Sequence, residues 1–483
     1  MWQVPQSAEL INEAEYRALE FFQLHTTLCF GQDVGTFLLQ AAYHESVIRT
    51  IAVAIGSLHR SFVHEQQGIS PSSGEVRFAF LHYNKAIRQL VAAHPHSSPQ
   101  TNDTFLIACI LFFCLECLQG HYQPAFQHAF SGLKIIQQQQ QQLTSNRSVS
   151  STYMPPDVIA ILFTILENQV LELQGDHSHF SNAPSSTLFS FAHPVMPDSQ
   201  SPLKIEQIFH QFQLIYNRFT RFGTLCEQLL EPLQGQSFEF IVQVQHLRAG
   251  YVQICADFKT WVDTFETWLK QPGSLTNTNP HAAVLKVWKP LVIGLLQLEW
   301  PPSELAWDRL TEGFATVASL AAETIVTNAD SFQRSSSPNV PSQYELEQIS
   351  TDHPTMLPAL RPKPAQLGPS TFSLTLGIVA PLYICATRCR DSRIRHQAIH
   401  LLSHAQRREG LWDSDLAARI AKRLATIEEM NAGIPPGTEY KPANIPLAAR
   451  ISSLSPQFGH ERIVTIRYNC DDGTGLVEET FTW

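Results

Sequence analysis

Residues 105–118 read FLIACILFFCLECL, the most apolar run in the chain, interrupted only by Glu116. A helix that is hydrophobic all round belongs in a core. The run is shorter than the ~20 apolar residues that a bilayer crossing needs. Asn102 or Asp103 stands where a helix N-cap is expected, Gly120 closes the helix, and Pro124 suits the start of another. The spacing places Ile107, Ile110, Leu111, Phe113 and Cys114 at the centre of the fold. No stretch of the sequence reads as a membrane span.

Helical periodicity extends outward from this run in both directions. Upstream, residues 14–29 space Tyr16, Leu19, Phe22 and Leu28 at helical intervals, and residues 46–64 do so with Val47, Ile51, Ala54, Leu58 and Phe62. Residues 68–74, GISPSSG, read as a loop before a helix over 75–93. Downstream, residues 124–143 run helical into six glutamines at 137–142, a low-complexity stretch that reads as a solvated helix end. Helices are expected over 157–173, 203–233, 237–269, 282–298 and 302–327, with loop-rich sequence at 175–202. Prolines and serines concentrate in 328–370, which reads as an exposed loop or linker. Helices follow over 377–389, 392–405 and 414–431. The period then changes: RIVTIRY at 462–468 and residues 476–482 alternate around DDGTG, a hairpin signal. The expected fold class is all-α with a small C-terminal β-hairpin. Its organisation is a helical body over 1–327, a linker over 328–370, and C-terminal helices and hairpin packed on the body over 371–483.

Composition bounds the function. Of 483 residues, 44% are hydrophobic and 16% charged, which excludes an intrinsically disordered chain. Lysine and arginine total 33 against 43 aspartates and glutamates, a net charge of −10 that disfavours wrapping nucleic acid by bulk charge. The first residues, MWQVPQSAELINEAE, lack a basic n-region, so no secretory signal is expected. Nine cysteines scattered from Cys29 to Cys470 suit a reducing, intracellular compartment.

Candidate chemistry is sparse. Cys114 and Cys117 form C-x-x-C with Cys109 nearby, but no second pair exists, and the apolar setting marks core cysteines. Cys385 and Cys389 read the same way. His396, His400 and His404 share a helix face, yet HQAIH lacks the glutamate of H-E-x-x-H. Asp176, His177 and His179 form a loop cluster of a common kind. No nucleophile elbow and no phosphate-cradling glycine loop occurs, so no catalytic, cofactor or metal residue is assigned and no enzyme is expected. One charge anomaly stands out. Arg388, Arg390, Arg393, Arg395, Arg407, Arg408, Arg419, Lys422 and Arg423 face Asp391, Glu409, Asp413 and Asp415 in sequence, so 9 − 4 leaves +5. Contact with a nucleic-acid backbone is one reading. The reading favoured by an acidic chain is pairing with carboxylates elsewhere in the fold.

Residues 106–136 (LIACILFFCLECLQGHYQPAFQHAFSGLKII), 381–402 (PLYICATRCRDSRIRHQAIHLL) and 406–414 (QRREGLWDS) resemble the regulatory region of fungal binuclear zinc-cluster transcription factors. EYRALEFFQLHT at 15–26, HESVIRTIAVAIGSLHR at 44–60, HYNKAI at 82–87 and the closing RIVTIRY fit the same family. Cys389-Arg390-Asp391 through Arg407-Arg408-Glu409-Gly410-Leu411-Trp412 is the most specific part. The resemblance implies a large multi-helix regulatory domain, a nuclear location and protein partners. The family's six-cysteine DNA-reading module has no counterpart, because no window of this sequence holds six cysteines. Direct sequence-specific DNA binding is therefore not expected. The chain reads as a co-regulator acting on a DNA-bound factor or the transcription machinery, in the setting of a fungal secondary-metabolite gene cluster. The alternatives are the tail of an ordinary zinc-cluster factor whose first exon is missing, and a helical ligand-binding protein or enzyme with a cryptic pocket. Residues 389–412 are expected to be an architectural helix pair: Asp391 caps a helix, Arg407 to Glu409 form the turn out of it, Gly410 is its left-handed terminus, and Leu411 and Trp412 fold back as an anchor.

Overall fold

The computed structural model describes residues 12–66, 73–92, 100–143, 153–173, 204–230, 238–271, 279–299, 302–335, 371–459, 462–470 and 475–483. Among these, 14 α-helices carry the fold. The first seven are α1 (Glu13–Phe21), α2 (Gln32–His44), α3 (Ser46–Gln66), α4 (Ser73–Ala92), α5 (Gln100–Gln119), α6 (Tyr122–Leu143) and α7 (Pro156–Leu173). The rest are α8 (Ile205–Leu230), α9 (Phe238–Leu269), α10 (Pro280–Leu295), α11 (Thr311–Ser335), α12 (Val379–Arg388), α13 (Ser392–Ala405) and α14 (Ser414–Asn431).

Helix α5 lies at the centre, with Ile107, Ile110, Leu111, Phe113 and Cys114 all fully buried. It begins at Gln100, so Asn102 and Asp103 sit inside its first turn instead of capping it. This extra length makes the apolar window longer than the sequence reading allowed. The window Asn102–Gln119 is long and apolar enough to cross a bilayer by length and composition, but 89% of it is buried inside the fold. Two arginines close its C-terminus: Arg408 Nη1 donates to the Leu118 carbonyl at 2.6 Å and Arg462 Nε to that of Gln119 at 2.9 Å. Cations at the exposed carbonyls of a helix end favour it electrostatically.

Two hydrophobic cores form around these helices. The first gathers α1 to α7, and the second gathers α8 to α13. Helix α14 serves both. Leu416, Ile420, Leu424 and Ile427 face the first core, while Ala417, Ala418, Ala421 and Ala425 face the second. Large residues on one stripe and alanines on the other let a single helix pack closely on both sides.

Several elements depart from the sequence reading. The helix expected over 14–29 stops at Phe21 and continues as a π turn, Phe22–Thr26, and a 3-10 turn, Thr27–Phe30. Helix α2 was not expected; its buried Leu38, Ala41 and Ala42 carry the signal. Ser73 and Gly74, read as loop, open α4. Helix α11 runs on to Ser335, past the boundary placed at 327. The terminal hairpin is there, β5 (Ile463–Cys470) with β6 (Gly475–Thr482), and β4 (Ile451–Phe458) extends it to an antiparallel sheet ordered β4-β5-β6. A second small sheet was not expected: β1 (Thr371–Ser373) pairs parallel with β2 (Arg407–Glu409), which pairs antiparallel with β3 (Trp412–Asp413).

Candidate functional site

The arginine-rich block is interior structure. Arg390 and Arg395 are among the largest fully buried side chains, and Arg450, from outside the block, joins them. Arg390 Nη2 reaches Glu428 Oε1 at 2.8 Å and Glu304 Oε2 at 2.8 Å. Arg395 Nη2 reaches Glu428 Oε2 at 2.5 Å and its Nε donates to the Ala386 carbonyl at 3.1 Å. Arg388 pairs with Glu304, and Arg450 forks onto Asp308 at 2.8 and 2.7 Å. Glu428 also accepts from the Ile451 backbone N–H at 2.9 Å. Burial by itself would raise the Glu428 carboxyl, but Arg395 and Arg390 overcome that and hold it at about 2. Charges this deep are tolerated only when every one is paired and hydrogen-bonded. The cluster ties the turn before α11, the α12–α13 connection, α14 and the strand that follows it into one body.

The second half of the block is also architectural, with a corrected local geometry. Asp391 caps α13, its Oδ1 accepting from the Arg393 N–H at 3.2 Å. The left-handed residue ending α13 is Gln406, at φ 47°, and not Gly410. Arg407 to Glu409 are a strand, not a turn. Paired backbone on both sides of β2 is what holds them extended. Glu409 is buried and caps α12, accepting from the N–H groups of Ile378 at 3.1 Å and Val379 at 2.8 Å, with Arg407 against it at 2.7 Å. Gly410, at φ 58°, turns the chain between β2 and β3, and a Cβ there would lie 1.9 Å from Gln169 Oε1. Both reasons exclude a side chain.

Leu411 is buried, and Trp412 packs against both cores while its indole N–H donates to Glu172 Oε2 at 2.5 Å. Trp412→Ala should therefore cost about 3–5 kcal/mol in urea unfolding. A loss under about 1 kcal/mol would show that this side chain anchors nothing.

What remains of the basic excess at the surface is thin. Arg393 is 74% exposed and 3.7 Å from Glu439, Arg419 pairs with Asp415, and Arg423 forks onto Glu479 at 2.8 and 2.7 Å. Most of the +5 is thus answered by carboxylates within the fold.

The cysteines and histidines do not converge. Cys114, Cys117, Cys385 and Cys389 are buried thiols, and burial pushes each of them up and away from the reactive thiolate. His400 stacks on His404 with centroids 4.1 Å apart, while His396 turns to Glu429 at 3.3 Å. Among the described residues no three of His, Cys, Asp or Glu are placed to hold a metal ion. Asp176, His177 and His179 lie outside the described residues.

A feature the sequence reading missed is a polar seam where the two cores meet. Helix α7 is apolar through its middle except for Thr164, Glu167, Asn168 and Gln169, all four buried, with Glu172 near its end. Asn168 Nδ2 donates to Gln213 Oε1 at 3.0 Å, and Asn217 Nδ2 donates to Glu167 at 3.0 Å and to Asn168 at 2.9 Å. Arg221 pairs with Glu167. Gln169 holds the β2–β3 turn, donating to the Leu374 carbonyl and accepting from the Leu411 N–H, both at 2.8 Å. Polar residues in the middle of an apolar helix were the available signal, since buried polar groups demand partners.

No family model matches the chain, and no solved structure matches it. It is 34% identical over 519 residues to the aspercryptin biosynthesis cluster-specific transcription regulator atnN of Emericella nidulans, a match covering 98% of this chain and 82% of that protein. Identity of that level, sustained from end to end of a fold held together by long-range pairing, marks common descent: the chain belongs to the fungal transcription-regulator family of which that protein is a member.

Proposed function

We propose that this transcription regulator acts in the nucleus on a biosynthetic gene cluster, through protein partners and not by reading bases itself. The observation that carries the reading is the 34% identity across 98% of the chain to a regulator named for one biosynthesis cluster. The use of its arginines supports the partner mechanism. Phosphate binding needs unpaired cations at the surface, and here Arg388, Arg390, Arg395, Arg407 and Arg408 are committed to carboxylates inside the fold. Capture of the tagged full chain from nuclease-treated nuclei tests this directly. The expected result is co-purification of a DNA-binding factor whose removal abolishes promoter occupancy by this chain. Occupancy that persists without any partner contradicts it.

A second reading has its own support. The match leaves 100 − 82 = 18% of the relative's length unaligned. In this reading the chain is the regulatory part of a factor that carries a zinc-cluster module elsewhere. Genomic sequence upstream decides: six in-frame cysteines within ~40 codons establish the second reading, and their absence leaves the first.

A further inference from the structure

Helix α4 has two unlike faces. The inner one is committed to the fold. Ala79 and Ala86 are fully buried, His82 Nε2 meets Glu15 of α1 at 2.8 Å, and the Tyr83 hydroxyl donates to Glu116 of α5 at 2.7 Å. Glu75 is the one carboxylate of the helix, and Arg60 of α3 holds it at 2.7 Å.

The outer face carries Arg77, Leu81, Asn84, Lys85 and Arg88, all exposed. Steps of three and four residues stack them on one stripe, ~17 Å long at 1.5 Å per residue. Leu81 is 57% exposed, Phe80 at its side 38%, and Val91 at the stripe's end 82%. Among the described residues no carboxylate pairs with Arg77, Lys85 or Arg88; Arg88 Nε donates to the Asn84 carbonyl of its own helix at 3.2 Å. The surface arginines Arg17, Arg393, Arg419, Arg423 and Arg467 each have a carboxylate partner. Lys85 and Arg88 stand three residues apart, a like-charge spacing that disfavours a helix. This stripe therefore adds nothing to the fold, and it is basic on a chain whose net charge is −10.

We propose that the outer stripe of α4 docks an acidic amphipathic segment of a protein partner. Carboxylates of the segment answer Arg77, Lys85 and Arg88, and its large apolar side chains cover Phe80 and Leu81. The composition of the stripe selects this occupant. A phosphate backbone would answer the cations but leave Leu81 and Phe80 in water, and three phosphate contacts give a weak, salt-sensitive hold. A segment with apolar residues on one helical face and carboxylates beside them satisfies both parts of the stripe at once. The proposal rests on the partner reading given above and names the surface that would serve it.

Peptide selection on the full chain tests it. The probe is a random phage-displayed library of peptides of about 16 residues, some four helical turns. Enriched peptides should carry several carboxylates with large apolar residues three or four positions apart. In fluorescence anisotropy their affinity should fall about tenfold or more in an Arg77→Glu, Lys85→Glu, Arg88→Glu triple variant, and several-fold in Leu81→Ser. Lys422→Glu, at an exposed cation of α14, should leave it unchanged. The substituted side chains are exposed, so thermal melting should not move; if the triple variant does melt early, Lys85→Glu and Leu81→Ser carry the test. No enrichment, enrichment of basic or uncharged peptides, or equal binding by the triple variant overturns the proposal. So does duplex DNA that binds the wild type at physiological salt and loses affinity in the triple variant. The partner reading fails separately: a DNA-binding factor that still co-purifies from nuclei with the triple variant overturns this surface and leaves that reading standing.

Discussion

Leu111→Asp is expected to yield no folded protein. Leu111 sits in the middle of α5 with no exposed surface, surrounded by Ile107, Ile110, Phe113 and Cys114, all fully buried. The substitution removes a full-sized aliphatic side chain, worth about 2–5 kcal/mol as a cavity. It also places a carboxylate among buried apolar side chains, at a further cost of several kcal/mol. Total stability for a domain is about 5–15 kcal/mol, so the sum is on the scale of the whole. Circular dichroism and thermal melting read the outcome. A soluble variant with native melting would show that α5 is not the centre of the fold.

Glu428→Ala is the second large effect. Glu428 is 1% exposed and is the common partner of Arg390 and Arg395, each with a fully buried side chain. Removing it strands two guanidinium groups in the interior, and breaking a buried pair typically costs about 3–5 kcal/mol. Glu428→Gln keeps the hydrogen-bond acceptor but not the charge, and should recover only part of the loss. The pH dependence has a definite sign. The folded carboxyl is held at about 2, below its ordinary 4.5, so its stabilisation is present above 4.5 and drains away as pH falls toward 2. Wild type should therefore lose stability across that acid window more steeply than Glu428→Ala, as urea unfolding at successive pH values will show.

Much of the architecture was legible because periodicity is local. Helices α13 and α14 were read to the residue, the first with Asp391 as its cap; Asp413 caps the second in the same way. Helix α2 was missed because Gly35 breaks its sequence and its apolar residues bunch as Phe37-Leu38-Leu39 and Ala41-Ala42-Tyr43 instead of recurring at helical spacing. The strand at Arg407 to Glu409 was missed for a different reason. Three charged residues in a row look like a solvated turn, and only the partners on either side, Thr371 to Ser373 and Trp412 to Asp413, make them extended and buried. The ion cluster was half legible. That the arginines pair with carboxylates followed from the acidic net charge. Which carboxylates did not follow, since Arg390 and Glu304 are 86 residues apart and Arg450 and Asp308 are 142 apart. Glu428 left one trace, its place on the buried stripe of α14 with Ala417, Ala421 and Leu424. The seam left a clearer one in Glu167-Asn168-Gln169, a run of three polar residues between the apolar stretches Ile165-Leu166 and Val170-Leu171.

The arginine block serves the fold, and the proposed route of this chain to DNA is through other proteins. Fluorescence anisotropy of the purified chain against duplex DNA, taken across a salt series, tests it most directly. Charge reversal belongs at the exposed Arg393, Arg419 and Arg423, because Arg395 is fully buried and its reversal would report folding instead. The account predicts no measurable binding at physiological salt and no difference between the wild type and an Arg393→Glu, Arg419→Glu, Arg423→Glu triple variant. Tight binding by the wild type, with a steep salt slope that the three reversals flatten, would contradict it.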